Sequence, residues 1–157
     1  MKSFTNIATA LLLLVFLSGG CASLQEIRRG RDPLTPVERL NLGVTYEQEG
    51  KLDLALREYQ RAERGSMKSN ALAYQGNVYV SMEEFQKAER HYRAALKENP
   101  DNLAALNNLA HLLAMQKGAL QEAEALIRHA LSLDPRPREP FEDTLRVIQE
   151  KHLNERQ

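Results

Sequence analysis

The chain has no tryptophan, one cysteine, eight glycines and six prolines in 157 residues, and no excess charge of either sign, with 21 basic against 21 acidic residues. Each shortage excludes something. A lone cysteine makes neither an internal disulfide nor a cysteine-rich metal site. A balanced net charge argues against a nucleic-acid binder, because phosphate affinity grows with the number of cations that displace counterions. So little glycine and proline leaves little turn-forming material for an all-β fold. What is present is 43% hydrophobic and 27% charged residues, too apolar for a disordered chain and long enough for one domain. These numbers lead to the expectation of an all-α domain.

The first 20 residues stand apart. Lys2 precedes the apolar run Ile7 to Leu17, which ends in the small residues Ser18, Gly19 and Gly20 and then the single cysteine, Cys21. The run falls short of the roughly 20 apolar residues that span a bilayer, and its flanks fit a secretory signal peptide. The segment Leu17-Ser18-Gly19-Gly20-Cys21 resembles a bacterial lipobox, although Ser18 occupies the place three before the cysteine where a large aliphatic residue is usual. The resemblance implies cleavage before Cys21, a covalent lipid on its thiol and acylation of its new amino group. Several acyl chains hold firmly where one is marginal. Two other readings stay open: cleavage at a different small-residue bond with a free Cys21, and an uncleaved inner-membrane anchor. Ala22 and Ser23 follow the cysteine, with no aspartate. By resemblance to Gram-negative lipoproteins, this implies the periplasmic face of the outer membrane. Residues 21–34 suit a tether. Arg28, Arg29 and Arg31 in it could meet anionic headgroups or form a solvated basic stretch.

Beyond residue 34 the chain repeats itself. Leu42-Gly43-x-x-Tyr46 leads to Ala55-x-x-x-Tyr59-x-x-Ala62. After a shift of 33, Gly76-x-x-Tyr79 leads to Ala88-x-x-x-Tyr92-x-x-Ala95 and Pro100. A third copy has Leu109-Ala110-x-x-Leu113, then Ala123-x-x-x-Ile127-x-x-Ala130 and Pro135, with one residue inserted near Lys117-Gly118. Each copy carries two apolar stripes at helical spacing. Gly43, Gly76 and Ala110 are expected to oppose Ala55, Ala88 and Ala123 where two helices approach, with Tyr46, Tyr79 and Leu113 beside them. Thr35-Pro36-Val37-Glu38 forms a capping box with proline at the first helical position. Gly50 and Gly118 mark turns within helix pairs, and Pro100 and Pro135 mark the ends of second helices.

These residues resemble the tetratricopeptide repeat, whose signature is Leu-Gly-x-x-Tyr, then Ala-x-x-x-aromatic, then Pro at a 34-residue period. The large aromatic that normally opens the first helix is replaced by Arg39, Leu72 and Leu106, and the first copy lacks its closing proline. The expected fold is an all-α solenoid of three helix-turn-helix repeats at about 35–68, 69–101 and 102–136. A helix within 137–157 would cap it, with Phe141, Leu145 and Ile148 as its apolar stripe. Asp143-Thr144-Leu145 also resembles the first helix of a truncated fourth repeat.

No catalytic constellation emerges. His91, His111, His129 and His152 lack metal-ligand spacing, and neither a phosphate loop nor a nucleophile elbow is found. No metal and no cofactor other than the lipid on Cys21 is expected. Carboxylates such as Glu84 and Glu124 sit beside Lys87 and Arg128 as surface pairs. In repeats of this type first helices line the concave face. The candidate partner-binding residues there are Gln48, Tyr74, Asn77, Asn107, His111 and Met115, among neighbours Asn41, Val44, Glu47, Asn70, Ser81 and Asn108. Amides can follow a peptide backbone. Asn41 and Asn108 fit packing between first helices better than ligand binding. These positions contain no lysine or arginine, which disfavours capture of a C-terminal carboxylate. The expected function is a non-catalytic, lipid-anchored adaptor that binds a protein or peptide segment. The chain resembles small outer-membrane repeat lipoproteins such as pilotins, which help a secretin ring assemble. A self-associating module, and a groove enzyme using His111, are the alternatives.

Overall fold

The computed structural model describes residues 33–115, 119–133 and 139–154. Cys21 and the signal segment, nearly all of the tether, the insertion at Lys117-Gly118 and Pro135 lie outside the described residues. The chain divides into two units, residues 1–35 and 36–157. All described helices belong to the second. They are α1 (Pro36–Gln48), α2 (Leu52–Ala62), α3 (Lys68–Ser81), α4 (Phe85–Glu98), α5 (Leu103–Met115), α6 (Leu120–Leu133) and α7 (Glu139–Asn154). No strand occurs among the described residues, and no described helix is long and apolar enough to cross a membrane.

Consecutive helices pair as α1 with α2, α3 with α4 and α5 with α6, and α7 packs against both α5 and α6. The second helix of each pair buries a narrow stripe at the spacing of one helix face. In α2 the apolar members are Ala55, Tyr59 and Ala62; in α4 they are Ala88, Tyr92 and Ala95; in α6 they are Leu120, Ala123, Ile127 and Ala130. Enclosure of the first helices grows along the chain: α1 packs chiefly on α2 and buries three residues, whereas α5, held between α3, α4, α6 and α7, buries eight of its 13. The cap docks through Phe141, Thr144 and Ile148, all buried, so it occupies the place of a fourth repeat's first helix.

Small residues let these helices approach, and at two of them the nearest neighbour is an aromatic ring. A methyl group built on Gly43 would overlap the ring of Tyr59, and one on Gly76 the ring of Tyr92. The glycines make room for buried aromatic rings. Tyr46 and Tyr79 pack beside them, half-buried, with the Lys51 ammonium 6.0 Å from the first ring and that of Lys87 5.3 Å from the second.

Helix ends follow local chemistry. Helix α1 starts at Pro36, directly after Thr35, and has Glu38 in its first turn. It closes on Gly50 at φ 73°, where the Gly50 N–H donates to the Glu47 carbonyl (3.0 Å) and the Lys51 N–H to that of Tyr46 (2.8 Å). The same two bonds close α3, from the Glu83 N–H to Val80 (2.9 Å) and from the Glu84 N–H to Tyr79 (2.8 Å), yet Glu83 carries the positive φ of 60°. A side chain in that conformation costs about 1 kcal/mol. Glu83→Gly is therefore expected to raise stability by about 0.5 kcal/mol, because glycine's greater freedom in the unfolded chain offsets part of the gain. Gly50→Glu should lower it by a similar amount; thermal melting of both variants checks the pair.

Adjacent repeats are joined by a polar clasp. Asn102, nearly fully buried, accepts the Ala105 N–H at 3.0 Å as the N-cap of α5. Its amide donates to Ser69 Oγ (2.8 Å) and Asn70 Oδ1 (3.0 Å) on α3, while the Ser69 hydroxyl donates to the Ala95 carbonyl (2.9 Å). On the outer side Arg93 grips Glu122 through two bonds of 2.6 and 3.0 Å. The hydrogen bonds from Arg93 hold the Glu122 carboxyl below its ordinary pKa.

Candidate functional site

First helices α1, α3 and α5 contribute to a cavity of about 990 Å³, whose wall is completed by the start of α4 and the start of α7. A bonded polar chain crosses it. The Tyr92 hydroxyl and the Asn108 amide both donate to Asn77 Oδ1, at 2.8 and 2.7 Å. The Asn107 amide donates to Asn108 Oδ1 (3.3 Å), and the Thr144 hydroxyl donates to Asn107 Oδ1 (3.0 Å). Four helices, α3, α4, α5 and α7, are thereby tied at one level. Nearby, the Tyr59 hydroxyl donates to Glu47 at 2.7 Å. Burial, then the Glu47 carboxylate, push the Tyr59 phenol well above its ordinary pKa, and burial does the same for Tyr92. Both hydroxyls stay protonated donors.

Four of the six expected groove residues meet here: Asn77, Asn107, His111 and Met115. Two do not. Gln48 is exposed outside the cavity. Tyr74 stacks on Tyr59, centroids 5.3 Å apart and planes 16° apart, so it packs the first two repeats together. Asn108 does join first helices, as expected. Asn107 is mainly structural too, since it is buried and bonded to the cap. His111 is exposed, and its side chain makes no hydrogen bond among the described residues.

Several lining residues were not among the candidates: Val80, Phe85, Gln86, Glu89, Leu112 and Asp143. Phe85 is 43% exposed, Val80 38% and Met115 59%, which leaves an apolar rim open to solvent. Phe85, Gln86 and Glu89 come from α4 and Asp143 from α7, outside the first helices of the three repeats. The available signal was Phe85 itself, a large apolar residue directly after a turn, in line with Ala88 and Tyr92 but at the open end of their stripe. Among the described residues, no group of three or more His, Cys, Asp or Glu side chains is placed to hold a metal ion.

Residues 75–140 match the tetratricopeptide repeat family model. The paired helices, the period and that match agree with solved structures. The fold is that of tetratricopeptide repeats. A tetratricopeptide repeat protein from Parabacteroides merdae aligns with 84% of this chain at 23% identity and a TM-score of 0.66, and this chain spans about half (51%) of that protein. The first TPR domain of Spaghetti (RPAP3), bound to an HSP90 peptide, aligns over 74% of this chain and 94% of its own length, at 19% identity and a TM-score of 0.63. The second TPR domain of human RPAP3, in complex with an HSP70 peptide, aligns over 73% of this chain and 98% of its own, at 19% identity and a TM-score of 0.61. No curated protein matches the chain in sequence. Domains of this fold commonly mediate protein–protein interaction.

Proposed function

We propose that this protein is a lipid-anchored, non-catalytic adaptor. It holds a segment of a partner protein in the repeat groove at the periplasmic face of the outer membrane, in the assembly of pilus or secretion machinery. The observation that carries the binding role is the cavity of about 990 Å³ whose rim leaves Val80, Phe85 and Met115 exposed. Exposed apolar side chains gathered at a concavity favour a partner's apolar groups, since burying them removes surface from water. The two RPAP3 domains, each bound to a chaperone peptide, support capture of a partner's peptide segment by this fold. The anchor rests on Cys21 and the apolar run before it.

Two measurements test the two halves separately. Cys21→Ser is expected to abolish metabolic acyl labelling and to move the chain from the membrane to the soluble fraction; continued sedimentation with outer membranes would remove the anchor. A photo-crosslinking residue at Phe85 or Met115 should yield one discrete protein adduct in cells. The same residue at Arg128, on the opposite helix layer and 76% exposed, should yield none. Equal yields from both faces would remove the groove as the docking site.

A further inference from the structure

The groove's own polar groups narrow the partner's conformation and charge. Three asparagines that could run along an extended peptide, Asn77, Asn107 and Asn108, are already bonded to one another or to the cap. Asn77 Oδ1 accepts two bonds, Asn107 Oδ1 accepts from Thr144, and Asn108 Oδ1 accepts from Asn107. An extended strand would have to compete with these bonds for the groove's asparagine oxygens, and any backbone N–H group left unmet is costly. A helix brings its backbone already satisfied.

Charge supplies the second constraint. The cavity is lined by three carboxylates, Glu47 on α1, Glu89 on α4 and Asp143 on α7, and by no lysine or arginine. The basic partners sit outside the wall: Arg93 bonds Glu89 (2.8 Å) while reaching away to Glu122, and Arg146 bonds Asp143 (2.7 Å). Helix ends do not offset this sign, because α3 and α5 finish at the cavity, at Ser81 and Met115, while α4 and α7 begin there, near Phe85 and Pro140. The chaperone peptides of the two RPAP3 domains, SRMEEVD and SGPTIEEVD, carry three acidic residues near their ends. This groove presents the opposite preference.

We infer that the occupant is a short amphipathic helix of a partner protein. Its apolar face lies on Val80, Phe85 and Met115, and its lysines or arginines reach Glu47, Glu89 and Asp143. The inference rests on the groove being the docking face. Complementary charge of this kind sets specificity and association rate, and it weakens as salt screens it.

The test is selection from a displayed library of random peptides about 16 residues long against the full chain, with counter-selection on Phe85→Asp/Met115→Asp to retain groove-dependent binders. Those binders should carry a net positive charge, with apolar residues at three- and four-residue spacing. They should bind about tenfold more weakly at about 0.5 M salt, and about tenfold more weakly to Glu89→Lys/Asp143→Lys. If the lysine variant loses helicity, Glu89→Gln/Asp143→Asn serves in its place, with a smaller loss in the same direction. Groove-dependent binders that are acidic or uncharged, or indifferent to these substitutions, would overturn the cationic helix and leave the adaptor role standing. Failure to recover any groove-dependent binder would remove both.

Discussion

Arg39→Leu is expected to destabilise the repeat domain by about 3 kcal/mol, and the double variant Arg39→Leu/Glu58→Leu to recover most of that loss. Arg39 opens α1 at the place where the repeat signature puts a large apolar residue, and it is buried, 7% exposed. Its guanidinium pairs with the carboxylate of Glu58 on α2, equally buried at 7%, and Arg61 bonds the other Glu58 oxygen at 2.8 Å. Removing only the arginine leaves the Glu58 carboxylate with the half-exposed Arg61 and little water. A buried charge deprived of its main partner is far more costly than the intact pair is stabilising.

The third repeat shows that the pair can be dispensed with. The positions equivalent to Arg39 and Glu58 there are Leu106 and Leu126, which lie in one apolar cluster with Ala130 and Phe141. The second repeat has Leu72 and His91, and the His91 ring tilts against Tyr79 at 4.8 Å. One structural position is thus filled in three chemical ways. The double leucine variant transplants the third solution into the first repeat. Urea unfolding of parent, single and double variants checks this, with unchanged m-values showing that only stability moved. A double variant as unstable as the single one would mean that the first repeat's helix packing is built around the ion pair itself.

The sequence carries the period, the helix pairs and the cap, because each depends on apolar spacing and punctuation that any copy displays alone. Contacts between copies are harder to foresee. Tyr74 has the same spacing as a groove residue, yet Tyr59 of the preceding repeat lies close enough to stack on it. The left-handed turn at Glu83 escaped notice because no glycine marks it; the equivalent turn after α1 is announced by Gly50. The groove's charge was also hidden. The concave positions of the first helices offer Glu47 alone, and the surface looks nearly neutral and amide-rich. Glu89 and Asp143 join it only when the start of α4 and the cap close the wall, a juxtaposition set by how the repeats stack.

Gly76→Ala should cost about 2 kcal/mol although alanine is the better helix former. The added methyl group would fall on the ring of Tyr92, which is 2% exposed and cannot withdraw into solvent. Overpacking a closed site costs about 1–3 kcal/mol, and the intrinsic helical preference for alanine over glycine returns at most about 1 kcal/mol. The third repeat again supplies the compensating change, with Ala110 in the glycine's place and Ile127 in that of the tyrosine. Gly76→Ala/Tyr92→Ile should therefore regain much of the packing. It should not regain all of it, because isoleucine cannot supply the hydroxyl that donates to Asn77 at 2.8 Å. Asn77 keeps its bond from Asn108, so the groove floor loses one of its ties and its link to α4. Denaturation should rank the parent above the double variant and the double variant above Gly76→Ala. Affinity for a groove-dependent peptide should fall in the double variant by more than its stability loss explains, since Tyr92 and Asn77 both line the cavity. Equal stability of Gly76→Ala and parent would show that the Tyr92 ring can shift, and that the missing side chain at Gly76 is not what admits it.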